Sequence, residues 1–176
     1  MALRLLVAAT TRVRLQDEGT VYRVTPSGAE VVLHSFTGGA GGSLPVAPLV
    51  QGIDGNFYTT TESGGASQSG SLVKITPTGT VTTVYSFNSG PEGQSPIGLT
   101  QASDGNLYGT TSQGGASGNG TLFEIRSSGV GFVLYSFAGG ATDGSNPDVV
   151  ILGRDGNFYG TARAGGKGGQ GTIFKF

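Results

Sequence analysis

The groups in this chain that could do chemistry are eleven carboxylates, one histidine and a series of glycine-rich loops. The acids are Asp17, Glu18, Glu30, Asp54, Glu62, Glu92, Asp104, Glu124, Asp143, Asp148 and Asp155. Two carboxylates facing one another can cleave a glycosidic bond, one as acid and one as base or nucleophile. Several of these acids have a plainer role. Glu124 stands where Arg23, Lys74 and Lys175 stand in equivalent segments, as expected of a solvated strand face. Asp54, Asp104 and Asp155 each open an Asp-Gly-Asn tripeptide: Asp54-Gly55-Asn56, Asp104-Gly105-Asn106 and Asp155-Gly156-Asn157. A calcium site gathers about six to eight oxygens, commonly from several acids close in sequence. One acid per tripeptide falls short of that. Asp-Gly is instead a hairpin pair, because glycine supplies the positive φ, so these nine residues are read as structural turns.

His34 occupies the position held by Tyr85 and Tyr135, which makes it a packing variant rather than a base. Nothing beside it completes a Ser-His-Asp arrangement. Gly166-Lys167-Gly168-Gly169-Gln170-Gly171 fits G-x-G-x-x-G. That motif holds a pyrophosphate only where it opens a helix, and here the strand-like run Thr172 to Phe176 follows. No catalytic, cofactor-binding or metal-binding residue is assigned.

These groups are positioned by a repeat. Asp-Gly-Asn-(Phe/Leu)-Tyr recurs at 54, 104 and 155, offsets of 50 and 51 residues. A fixed period of that length marks a repeat architecture. Three further landmarks keep the period. A Gly-Thr or Gly-Ser pair opens an alternating run at Gly19, Gly70, Gly120 and Gly171. A tight turn follows at Pro26-Ser27-Gly28, Pro77-Thr78-Gly79 and Ser127-Ser128-Gly129. A run then ends in Ser-Phe at Phe36, Phe87 and Phe137. Each unit therefore holds four short strands, here a (Pro96 to Ala102), b (Asn106 to Ser112), c (Thr121 to Arg126) and d (Gly131 to Phe137).

Strand c alternates with period two: Phe123 and Ile125 on one face, Leu122 and Glu124 on the other. One face should be buried and the other partly wet. Four-stranded antiparallel units near this period are the mark of propeller blades, which must stack because a lone sheet leaves both faces open. The expected fold is all-β: one propeller-like repeat domain over 1–176, divided as 1–36 (partial), 37–87, 88–137 and 138–176 (partial). Leu5 to Thr11 is read as strand b of the first unit, giving fourteen strands b-c-d, a-b-c-d, a-b-c-d, a-b-c. Such ends suggest a piece of a longer array.

The combination of Asp-Gly-Asn-(Leu/Phe)-Tyr-Gly-Thr-Thr, Gly-Gly, Gly-Thr-(Leu/Val)-(Phe/Tyr), Thr-Pro-Ser-Gly and Ser-Phe resembles the GloVer, or Gloeo-Verruco, tandem repeat over about residues 19 to 176. The resemblance implies a secreted or surface-anchored bacterial protein and carries no catalytic residues across.

Composition narrows the partners. Glycine fills 34 positions, spaced as turn residues between apolar runs rather than as a disordered tract. Charged residues are only 12% and the net charge is −1, so there is no basic stripe for nucleic acid. No stretch reaches the ~20 apolar residues of a membrane span. With no cysteine, disulfides are excluded.

In a meander, the long b–c and d–a loops share one end of each blade, and function concentrates on such loops. Gln68, Gln113, Asn119, Asn88 and Asn146 are the candidate ligand contacts there. The expectation is a non-catalytic extracellular module presenting an interaction surface, with carbohydrate or another surface protein as partner. The alternative is a carbohydrate-active propeller, a lectin or a glycosidase or lyase. One acid cluster that departs from the repeat would favour an enzyme; equivalent sites in every unit would favour a lectin.

Overall fold

The computed structural model describes residues 18–176. The strand expected over residues 5–11 lies outside the described residues. The rest form four antiparallel sheets in chain order. The first blade is the hairpin β1 (Thr20–Val24) and β2 (Glu30–Ser35). The second runs β3 (Ser43–Pro45), β4 (Val50–Gln51), β5 (Phe57–Ser63), β6 (Ser71–Ile75) and β7 (Val81–Ser86). The third is the complete meander β8 (Gln94–Gln101), β9 (Leu107–Gln113), β10 (Thr121–Ile125) and β11 (Gly131–Ser136). The fourth is β12 (Gly144–Leu152), β13 (Phe158–Gly165) and β14 (Thr172–Lys175). Strand a of the second blade is one strand in the sequence reading and two in the structure: β3 and β4 both pair with β5.

The blades stack face to face and meet most closely along strands a and b, where β8 lies on β5 and β12 lies on β8 and β9. Strand c carries the core. Val73 and Ile75 pack with Phe57 against Val21 and Phe36 of the first blade. On the opposite face, Leu72 and Phe87 pack against Leu99, Leu107, Phe123 and Ile125 of the third. Leu122 and Phe137 do the same against Val150 and Phe158 of the fourth. The second face of strand c is therefore dry at Leu72 and Leu122 and only half-buried at Lys74 and Glu124. Stacking explains the dry positions: the second and third sheets are each sandwiched, whereas Ile173, the counterpart of Leu72 and Leu122 in the fourth, is 84% exposed.

Every c–d hairpin carries a register shift at the same place, after Val21, Leu72 and Leu122. Such bulges sharpen the local twist, which suits blades that fan around an axis. The cores are linked by edge-to-face rings, Phe87 on Phe123 and Phe137 on Phe174, each pair with centroids 4.9 Å apart.

Candidate functional site

At the long-loop end, the inner strands frame a cleft of about 470 Å³ that runs across the second, third and fourth blades. Pro96, Ile97, Val46 and Val149 give it an apolar floor, and Ser95, Ser112, Gln113 and Asn146 line it with polar groups. Its charges are Glu62, Asp148 and Arg163. Arg163 grips Asp148 in a fork, Nε to Oδ2 and Nη2 to Oδ1, both at 3.0 Å. That pairing raises the guanidinium above its ordinary value. Two parallel N–H···O bonds fix the planes of both groups. Asp148 is also anchored through its carbonyl, which accepts the buried Thr110 hydroxyl at 2.6 Å.

The three charges sit at two repeat positions. Glu62, Ser112 and Arg163 are equivalent on strand b; Val46, Ile97 and Asp148 are equivalent on strand a. The cleft is thus lined by positions that differ from blade to blade. At its edge, Leu44, Ser95 and Asn146 share a left-handed backbone, φ +56, +53 and +55. Each turns its N–H to the preceding blade, bonding the carbonyls of Glu18, Ser69 and Asn119 at 2.8, 3.0 and 2.9 Å. Non-glycine residues held in that region cost of order 1–3 kcal/mol, offset here by a bond between blades.

Of the five amides picked from sequence, Gln113 and Asn146 reach the cleft. The others serve the loops. Asn88 accepts from the Ser67 hydroxyl and donates to Glu92. Asn119 donates to the Ala138 carbonyl and accepts from Ser145. Gln68 sits in a turn at φ +56. The long loops themselves interlock: Gly65, Gly115 and Gly166 donate their N–H to Gly39, Gly90 and Asp143 of the d–a loops at 2.8, 2.8 and 2.9 Å. A Cβ on Gly114 would lie 2.6 Å from the Cα of Gly93, so this crossing admits no side chain.

Glu62 and Asp148 stand out in the sequence as acids, whereas Arg163 carries no mark of its own there. The available signal was the alignment of the units, in which all three depart from their counterparts.

At the opposite end, the Asp-Gly-Asn tripeptides join strands a and b with one bonding pattern. The Asp54, Asp104 and Asp155 Oδ1 atoms accept the N–H of Asn56, Asn106 and Asn157 at 3.1, 2.9 and 3.2 Å. Their Oδ2 atoms accept the hydroxyls of Tyr58, Tyr108 and Tyr159 at 2.8, 2.8 and 2.7 Å. These bonds lower each carboxyl below its ordinary value: chiefly the Asn56 side chain for Asp54, the Asn106 N–H for Asp104, and the Tyr159 hydroxyl for Asp155, which reaches about 2. Burial, with help from Asp54, pushes Tyr58 up to about 12.

His34 stacks edge-on against Phe36 at 4.9 Å, as Tyr85 does on Phe87 and Tyr135 on Phe137. Tyr85 and Tyr135 also donate to Glu92 and Asp143, both at 2.9 Å. The residue matching Glu92 and Asp143 beside His34 is Gly41, so both members of the pair change together in that unit. Partial burial holds His34 below its ordinary value.

Stacked antiparallel sheets converging on their first strands, with a polar cleft at that convergence, define a propeller-type repeat protein. The chain belongs to the Gloeobacter/Verrucomicrobia repeat family, whose model matches residues 5–176. Among solved structures it is similar to a gluconolactonase from Xanthomonas campestris, with TM-score 0.64 and 15% identity over 99% of this chain and 55% of that one. It is similar also to the periplasmic gluconolactonase of Pseudomonas aeruginosa, with TM-score 0.59 and 17% identity over 90% and 47%. A streptogramin B lyase matches with TM-score 0.51 and 17% identity over 92% and 45%. The chain spans about half the length of these proteins, and at such identities the likeness is one of fold. No curated protein matches in sequence. Among the described residues, no helix is long and apolar enough to cross a membrane.

Proposed function

We propose that this chain is an extracellular repeat module whose binding surface is the polar cleft at the long-loop end, and that its ligand is a hydroxyl-rich small molecule, a carbohydrate above all. One observation carries the reading: Glu62, Asp148 and Arg163 gather at a cleft that spans three blades, each at a position where the repeat is broken. Carboxylates accept hydroxyl protons and a guanidinium donates to ring and hydroxyl oxygens. The apolar floor of Ile97 and Val149 suits the C–H face of a sugar. The Asp-Gly-Asn turns belong to the frame in this reading, with their acids occupied by their own turn.

The runner-up is a carbohydrate-active enzyme. It draws on the same departure from the repeat, because a lectin built on equivalent sites would keep the charges in every unit. Secretion is proposed from the family and from the periplasmic source of one structural neighbour.

A glycan-array screen tests the reading, with Arg163→Ala and Glu62→Gln beside the wild type. Selective binding lost in both variants is expected. A bound glycan released as a cleaved product would favour the enzyme. Binding that both variants keep would place the site elsewhere.

A further inference from the structure

The crevices between neighbouring blades at the short-turn end should be copies of one another, and two of them differ. Between the third and fourth blades, Tyr108 lies on the ring of Phe158, centroids 4.5 Å apart and planes 35° apart, with Leu134 and Leu152 packed in the same cluster. The four matching positions between the second and third blades hold Tyr58, Leu107, Val84 and Gln101. The tyrosine is kept, and each of the other three is smaller or more polar. Leu107 stands alone against Phe57 and Phe158, and Val84 against Leu33 and Leu134. The result is an opening of about 320 Å³ lined by Tyr58, Val84, Leu107 and Gln101, with Lys74 and Arg126 beside it.

The polar groups around it are for the most part already engaged. Gln101 is tied to backbone, accepting the Ile53 N–H and donating to the Gly105 carbonyl, both at 2.8 Å. Ile53 is 79% exposed at the mouth, where the other units have Ser103 and Arg154. Arg126 is engaged by Glu124 and by the ring of Phe132. Asp54 and Asp104 are engaged in their own turns. Lys74 makes no ion pair among the described residues, though its charge helps to lower the nearby Asp54 carboxyl.

We propose that this crevice binds a small planar aromatic carboxylate. Its ring lies on Tyr58 beside Leu107, in the room left where Leu107 is smaller than Phe158 and Val84 smaller than Leu134, and its carboxylate meets Lys74. The volume falls at the lower end of ligand pockets, which begin at about 300 Å³. Offset or tilted aromatic contacts at such separations are favourable, and Ile53 adds an apolar wall at the mouth. The site is independent of the long-loop cleft.

The test uses indole-3-acetate and indole as probes. The chain has no tryptophan, so probe fluorescence excited beyond tyrosine absorption reports binding directly. Saturable binding of indole-3-acetate is expected, weakened about tenfold or more in Leu107→Phe. That variant installs the residue two other blades already carry, and its melting curve confirms folding. Lys74→Ala should weaken indole-3-acetate and leave indole unchanged. Arg163→Ala should leave both unchanged. No saturation in the wild type, or undiminished binding in a folded Leu107→Phe, overturns the proposal. Equal losses for both probes in Lys74→Ala overturn its carboxylate part.

Discussion

The two ends of these blades are built by opposite rules. At the short-turn end, three Asp-Gly-Asn-x-Tyr segments repeat the same two carboxylate bonds to within a few tenths of an ångström. At the inner long-loop end, equivalent positions hold Glu62, Ser112 and Arg163, or Val46, Ile97 and Asp148. A residue that every blade needs in order to fold is kept in every blade. A residue free to differ is one the stacking does not require, and where such residues meet in one cleft the difference is available for recognition. The contrast also holds within the short-turn end, where the frame persists while Leu107, Val84 and Gln101 hollow out one crevice.

The largest effect should come from the frame. Gly114→Val puts a side chain at φ +77 with its Cβ 2.6 Å from the Cα of Gly93 and 2.9 Å from the Gly90 carbonyl. Backbone cannot yield there without parting two loops, so a loss of about 3 kcal/mol or more is expected in urea denaturation. A loss under about 1 kcal/mol would mean that the crossing of the long loops is loosely held and is no part of the frame. Gly105→Val is milder: φ is +82, but the only neighbour among the described residues within 4 Å is the Ile53 side chain, at 3.2 Å. About 1–2 kcal/mol is expected from the left-handed backbone alone, and an unchanged melting temperature would remove the turn from the frame.

Much of this frame was legible because turns and alternation are local. Asp54, Asp104 and Asp155 announce their hairpins, and strand c announces its period. The repeat predicts an unbroken strand a in the second blade, yet it breaks between Pro45 and Val50, around Pro48, which has no N–H to give a ladder. The cleft was only half legible. Gln113 and Asn146 follow from loop position, whereas Arg163 acquires meaning only when strands far apart in sequence, such as those bearing Glu62 and Arg163, 101 residues apart, are brought to one opening. Asn88 and Asn119 look like binding amides in sequence and are consumed by loop hydrogen bonds.

A smaller effect of opposite sign sharpens the comparison. Thr61 bonds Ser71 and Thr111 bonds Thr121 through buried hydroxyls at 2.8 and 2.9 Å. The fourth blade has Ala162 at that position, and the Thr172 hydroxyl is left buried without a partner. Ala162→Thr should restore the pair and raise stability by about 1 kcal/mol; a loss would show that the fourth blade is packed differently from the others.

Acid titration gives the next test. Asp155 is depressed from 3.8 to about 2 in the folded chain, chiefly by Tyr159 and then Asn157. A depressed carboxyl contributes stability above its unfolded value and loses it as pH falls through the folded value. The melting temperature should therefore drop between about pH 4 and 2, and Asp155→Asn should flatten that slope. An unchanged slope would detach the turn bonds from stability. The smallest effect is Arg163→Ala, an exposed pair whose loss should shift stability by under about 1 kcal/mol.

The most direct measurement is an amide chemical-shift titration of the isotope-labelled protein with the glycans that the array selects. The expected result is movement concentrated at Glu62, Ser112, Gln113, Asp148 and Arg163, with the Asp-Gly-Asn turns still, and abolished in Arg163→Ala. Shifts spread equally over equivalent loops of every blade, or confined to the turns, would contradict the claim that recognition resides where the repeat is broken.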